Sequence, residues 1–220
     1  MAAVTLARAY QHSFETHPNI TLSVTGGCLT ALGDVVAQVT QNTIARKEDE
    51  ERKKYDVGRT ARFLAYGFMI SPFMGRWNAF LETRFPLRAA RGTNKVSLKA
   101  LGKRVAADQL IMAPAGLVAF LGSMGIMEAR SPQQIKDRFR DLYGTALIAN
   151  WKVWPLAQLI NFRYMPLPYR VPFAQTAGVF WTLYLSILNS NEDVQQDKER
   201  AASRTAIMES DLKLPTHPSK

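Results

Sequence analysis

The order of apolar and polar positions divides the chain into long uncharged stretches separated by short crowded ones. Five windows, 19–41, 61–81, 105–127, 142–162 and 171–190, are dominated by aliphatic, aromatic and small residues. The chain has 28 Lys and Arg and 18 Asp and Glu, yet only Asp34, Arg62, Arg76, Asp108 and Lys152 fall inside these windows. A soluble helix needs a charged face toward water, so a ban on ionic side chains over such lengths marks segments that live in hydrocarbon. Each window has roughly the 20 residues that a helix rising about 1.5 Å per residue needs to cross it. The pattern predicts an all-α, multi-pass transmembrane helical bundle of four to five spans. Residues 19–190 form its membrane domain, 1–18 a targeting or interfacial segment, and 191–220 a polar C-terminal tail. The short, proline-rich RYMPLPYR (163–170) between the last two windows leaves four and five spans both open.

The faces of these helices differ. At about 100° per residue, Ser23, Gly27, Ala31, Asp34 and Gln38 share one arc of roughly 80°. A Ser-xxx-Gly-xxx-Ala ladder lets two membrane helices approach closely, and the polar residues beyond it can bond across the seam. Arg59, Arg62 and Arg76 share one side of the second helix. Asp108 and Gln109 precede an uncharged run broken by Pro114. An unpaired charge at mid-bilayer costs about 2.5–3.5 kcal/mol or more. Asp34 and Asp108 are therefore expected to turn toward arginines inside the bundle. The alternative leaves Arg59, Arg62 and Asp108 at the membrane surface, reaching toward water.

The stretch NWKVWPLAQLINF (150–162) is amphipathic in a membrane sense. Trp151, Trp154, Gln158, Asn161 and Phe162 fall on one side of a helix; Val153, Leu156 and Ile160 fall on the other. The aliphatic side suits lipid, and the amide-and-indole side suits other helices or a wet cavity. Pro155 removes a backbone hydrogen bond and crowds the carbonyl of Trp151, so a kink is expected there, as at Pro72 and Pro114. Backbone groups freed at such kinks are tolerated only when buried in protein or lining water. Kinked spans with inward amides serve a small aqueous path and a closed, hydrogen-bonded bundle equally well. Lys152 falls on the aliphatic side and does not fit the scheme.

Composition changes this picture little. A hydrophobic content of 47% and a mean hydropathy of −0.13 average apolar spans with charged connectors. The net charge of +10 sits in connectors such as RKEDEERKK (46–54) and RFPLRAARGTNK (84–95). With no zinc-finger or base-stacking signature beside them, these suit anionic lipid headgroups rather than nucleic acid. Two basic connectors on opposite sides give the positive-inside rule no clear vote. Cys28 stands alone, which excludes an internal disulfide and a cysteine-based zinc site; it reads as a small packed thiol. His12, His17 and His217 lie outside the uncharged cores, and no H-E-x-x-H, G-x-S-x-G, P-loop or dinucleotide fingerprint occurs. No catalytic residue, cofactor or metal is expected, and the chain reads as a non-enzyme. The N-terminal MAAVTLARAYQHSF, with one Arg and no acid, is compatible with mitochondrial import.

Five motifs carry a family resemblance: GDVVAQ (33–38), YDVGRTARFLAYGF (55–68), DQLIMAPAGL (108–117), NWKVWPLAQLINF with MPLPYR (150–162 and 165–170), and FWTLYLS (180–186). Through them the chain resembles the small integral proteins of mitochondrial inner and peroxisomal membranes typified by Mpv-seventeen and the twenty-two-kilodalton peroxisomal membrane protein. The Trp-x-x-Trp-Pro-x-x-Gln-x-x-Asn-Phe core is the specific part. YDVGRTAR, RVAADQ and GIMEARS are most like the fungal stress-inducible mitochondrial branch. The resemblance implies a mitochondrial inner-membrane location, with the peroxisomal membrane as alternative. It also implies a role in stress response and in maintaining mitochondrial DNA and metabolite balance, and a channel for small solutes. The partners implied are the lipid bilayer, small solutes and a homo-oligomer or larger membrane complex that a non-conducting organiser would hold together. The chain departs from the pattern at Arg76-Trp77-Asn78, where the family usually has Trp-Tyr, and in the RKEDEERKK insert. The residues chosen as lining or pairing inside the bundle are Asp34, Gln38, Arg62, Asp108, Gln109, Trp154, Gln158 and Asn161.

Overall fold

The structure, a computed structural model, describes residues 2–47, 54–87 and 96–183. The polar tail, the end of the last window and most of the RKEDEERKK insert lie outside the described residues. Among the described residues, seven α-helices follow in order: α1 (Ala2–Thr16), α2 (Pro18–Lys47), α3 (Val57–Arg84), α4 (Leu98–Ala107), α5 (Ala113–Met127), α6 (Pro132–Tyr164) and α7 (170–183). A five-residue π-helical turn, Asp108–Met112, joins α4 to α5 in one continuous rod, and a 3-10 turn, Leu167–Tyr169, precedes α7.

Local chemistry sets the boundaries. The Asp56 side chain accepts from Arg59 N–H and caps α3; Ser97 does the same for α4 through Ala100 N–H. Ser131 and Gln134 form a reciprocal capping box at the start of α6, with Pro132 in the first turn. The α5 end closes in a Schellman arrangement, with Arg130 N–H on Gly125 O and Ala129 N–H on Ile126 O. Ala129 holds the left-handed position there at φ 52°, a conformation that glycine adopts without a Cβ penalty.

Helices α2 and α3 form the closest pair, and small residues make that approach. A Cβ on Gly26 would lie 1.8 Å from Ser71 Oγ, one on Gly67 2.4 Å from Thr30 Oγ1, and one on Gly75 2.3 Å from a Leu22 methyl. Ser23, Gly27 and Ala31 are buried on the same face of α2. The partner ladder on α3, Gly67, Ser71 and Gly75, has the same four-residue spacing. Pro72 and Pro155 sit inside unbroken helices. Pro114 follows the π turn, so the interruption of that rod lies one turn earlier, at Asp108–Met112.

Burial is distributed as lipid would require. Among the described residues, the buried set is as much polar as apolar: Asp34, Gln38, Ser71, Asn78, Arg104, Asp108, Gln109, Asn161 and Arg170 stand beside Leu22, Leu81, Leu101, Leu121 and Phe162. Large apolar side chains face outward instead, among them Phe73, Leu110, Ile126, Leu156 and Phe180. Two rods, Pro18–Thr43 and Leu98–Met127, are long and apolar enough to cross a membrane. The first turns of α6 carry Lys136, Asp137, Arg138, Arg140 and Asp141, and α3 carries Arg59, Arg62 and Arg76, which lowers the apolar content of those two helices. Cys28 is exposed on the outer side of α2, a correction to its reading as a packed thiol. The small-residue face of α2 is turned to α3, and Cys28 follows one residue past Gly27.

The N-terminal segment is a packed element. The α1 hydroxyl of Tyr10 donates to Pro168 O at 2.7 Å, and its ring meets Tyr169. Burial, and then the neighbouring Tyr169, push the Tyr10 hydroxyl up to about 12, so it stays a donor at neutral pH.

Candidate functional site

Two polar clusters flank the middle of the bundle. In the first, α2 and the head of α3 meet. Asp34, only 2% exposed, forms an ion pair through one oxygen with Arg59 Nε at 2.7 Å. Its other oxygen accepts from Thr60 Oγ1 at 2.7 Å and Gln38 Nε2 at 2.8 Å. Gln38 also fastens the entry to α3, accepting from Asp56 N–H and donating to Asp56 O. Asp34 and Gln38 are one helical turn apart, which places both on the α3 side of α2.

In the second cluster, the π turn sets the geometry. Ala113 N–H reaches back to Asp108 O, five residues earlier. The wider turn brings consecutive residues inside together: Asp108 is 6% exposed and Gln109 7%. Asp108 accepts from Trp77 Nε1 at 3.0 Å, Gln109 Nε2 at 2.9 Å and Gln158 Nε2 at 2.8 Å. Among the described residues no arginine, lysine or histidine pairs with it. The expected Asp108–arginine pair is therefore corrected. Three N–H groups from an indole and two amides satisfy the carboxylate, and the Arg76 side chain one residue from Trp77 is exposed.

Between these clusters lies a cavity of about 490 Å³ walled by α2, α3, α5, α6 and α7. Asp34, Arg59, Asp108, Gln109, Trp154 and Gln158 all line it. The remaining wall is largely apolar, including Phe63, Tyr66 and Phe120, whose rings pack edge-on. A small apolar knot of Leu81, Leu101 and Phe162 closes the bundle at the α3 C-terminal end.

Other sequence-chosen residues fall elsewhere. Arg62 does not line the cavity; it reaches Asp56 at 3.4 Å, and Arg59 takes the Asp34 partnership instead. Helical side chains lean toward the helix N-terminus, which carries the Arg62 head back to the connector. Asn161, 1% exposed, donates to Gln158 Oε1 and to Arg170 O, tying the end of α6 to the start of α7 behind the cavity wall. Trp151 is 42% exposed, a correction to its inward placement, but its indole still donates to Gln109 O at 3.0 Å.

Sequence reasoning missed several members. Trp77 belongs to the second cluster, although it sits where the chain departs from the family pattern. Gln175 donates to Ser71 Oγ at 2.7 Å. At the α3 C-terminal end, buried Arg104 and Arg170 both pair with Glu82, and Arg104 Nε also donates to Phe85 O. Burial pushes the Glu82 carboxyl up, but the guanidinium groups of Arg170 and Arg104 outweigh it and hold the group below the usual glutamate range. The even spacing of Gly67, Ser71 and Gly75 was a legible signal; positions 82, 104 and 170 carried none.

Residues 125–186 match the pattern of the Mpv17 / PMP22 family. The chain is 35% identical to Protein SYM1 of Candida glabrata over 196 residues, which spans 85% of this chain and 91% of the relative. It is 35% identical to Protein SYM1 of Saccharomyces cerevisiae over 194 residues, 88% and 94% of the two chains. To Protein SYM1 of Gibberella zeae it is 40% identical over 184 residues, 83% and 97% of the two chains. No solved structure matches the chain.

Proposed function

Because the chain belongs to the Mpv17 / PMP22 family of membrane proteins, we propose that it forms or modulates a small-solute pathway across the mitochondrial inner membrane. The observation that carries this reading is the 490 Å³ cavity, edged by two carboxylates and several amides from the middle of the helices. Polar and ionisable groups inside a membrane domain are expensive and mark pathways by default. In this reading α2, α3, the α4–α5 rod, α6 and α7 all cross the bilayer, and Asp34, Gln38, Asp108, Gln109, Trp154 and Gln158 line or brace the path. No covalent chemistry is required of them. Purified chain in planar bilayers should pass current that changes with Asp34→Asn or Gln158→Leu; consistently silent bilayers would remove the pathway.

The SYM1 relatives and the acid-free first 14 residues support this proposed location. Fractionation with alkaline carbonate extraction should leave the chain in inner-membrane pellets; recovery with peroxisomal membranes would redirect it. The implied role in stress response and mitochondrial DNA maintenance belongs to the same proposal. Cells lacking the chain should lose mitochondrial DNA under heat, and unchanged content would detach that role. The organiser alternative is weakened by one observation: the small-residue face of α2 is already occupied by α3 of the same chain.

A further inference from the structure

Helix order gives the two ends of the bundle different charge. At one end α2, α4 and α7 begin and α3 and α6 finish. Contacts between distant segments close this end. Tyr10 of α1 donates to Pro168 O, and Glu82 near the end of α3 pairs with both Arg104 and Arg170. Glu82 is thereby spent on two buried guanidinium groups. Glu15, the other acid here among the described residues, accepts from Gln11. Arg8, Arg84, Lys99, Lys103 and Arg163 remain exposed at this end, with no ion pair among the described residues.

The opposite end, where α3 and α6 begin, is balanced. Arg59 pairs with Asp34, Arg62 with Asp56, Arg130 and Arg138 with Glu128, and Arg140 with Asp141. The sequence shows two basic connectors of similar strength; the fold shows that only one end keeps a concentration of unanswered positive charge.

The surroundings of these cations say what they meet. Leu98, beside Lys99, is 77% exposed, and Tyr164, beside Arg163, is 66% exposed. The Arg84 and Arg163 guanidinium groups lie over the rings of Phe85 and Tyr164, at 5.9 and 5.5 Å from the centroids. Cations interleaved with exposed apolar and aromatic groups suit the boundary between hydrocarbon and headgroups, where the apolar parts enter the oil and the charges reach out. An acidic protein or a nucleic acid would match the charge but leave Leu98 and Tyr164 in water. The attraction falls off within a Debye length, so this end reads the headgroups of its own leaflet.

We propose that this end of the bundle is a docking surface for anionic phospholipid headgroups, held by Arg8, Arg84, Lys99, Lys103 and Arg163, and that the opposite end lacks one. The inference rests on the helices crossing a bilayer and not on a solute pathway. To test it, the purified full chain in neutral detergent is mixed with equal amounts of phosphatidylglycerol and phosphatidylcholine of identical acyl chains, and the retained lipid is counted by native mass spectrometry. Phosphatidylglycerol should be retained severalfold more, and added salt should shrink the difference. Combining Lys99→Gln, Lys103→Gln and Arg163→Gln should weaken its binding at least about tenfold, given the contribution of each cation near such a surface. Lys54→Gln with Lys136→Gln, which removes two exposed and unpaired cations from the balanced end, should leave it unchanged. If the triple variant does not fold by circular dichroism, Lys103→Gln alone should show a smaller loss in the same direction. Equal retention of the two lipids, or equal losses from both ends, would overturn the surface. Displacement of the lipid by inorganic phosphate at matched ionic strength would overturn its assignment to lipid. Silent planar bilayers would remove the solute pathway and leave this surface standing.

Discussion

At the residue scale, the α2–α3 seam depends on atoms that are missing. A methyl on Gly67 would lie 2.6 Å from Gly26 O, a backbone atom that cannot swing away. Gly67→Ala must therefore push the helices apart, at about 1–3 kcal/mol, the usual cost of overpacking a close contact. Gly122 has nothing within 4 Å of the same hypothetical methyl. Gly122→Ala should be neutral or raise stability by up to about 1 kcal/mol through helix propensity. Thermal unfolding in detergent, followed by circular dichroism, compares the two; equal losses would mean that the seam is not built on Gly67. The same scale explains what the sequence hid at Asp108. A search for its counter-charge looks for arginines, whereas the donors are Trp77, Gln109 and Gln158, which carry no charge to notice.

At the element scale, helices were legible because hydrocarbon excludes ionic side chains and caps mark the ends. The Ser23, Gly27 and Ala31 ladder was equally legible as a packing face. Its partner, Gly67, Ser71 and Gly75, repeats the same spacing, but Arg59, Arg62 and Arg76 give another side of α3 the stronger sequence signal. The π turn had no signature beyond the neighbouring Pro114. The α5–α6 link offers a separate check. Ala129 occupies a left-handed position at φ 52°, which costs a residue with a Cβ about 1–2 kcal/mol. Ala129→Gly should raise stability by about 0.5–1 kcal/mol after glycine's larger unfolded-state entropy is allowed for. An unfolding midpoint that falls would show that the Schellman geometry does not govern this turn.

At the scale of the whole molecule, the charges gather at the ends of the bundle and at its cavity. Glu82, Arg104 and Arg170 join α3, α4 and the start of α7 at one end. Because the folded Glu82 carboxyl is held below its ordinary range, its contribution is present above that range and fades as pH falls through it. Stability should drop on acidification through the carboxylate range, and Glu82→Gln should flatten that drop; an identical acid profile would detach the cluster from stability. The inside-out arrangement, with apolar side chains outward and carboxylates inward around one cavity, is the physical claim on which function depends. Gly116 lines that cavity, and an added Cβ there would meet nothing nearer than Met74 Cε at 3.9 Å. The direct test is solute-driven swelling of liposomes containing the purified chain, wild type against Gly116→Phe. The wild type should swell in permeant solutes, and the phenyl ring should plug the path while helix content stays unchanged. Equal swelling by the folded variant, or none by the wild type, would contradict a solute pathway through this cavity.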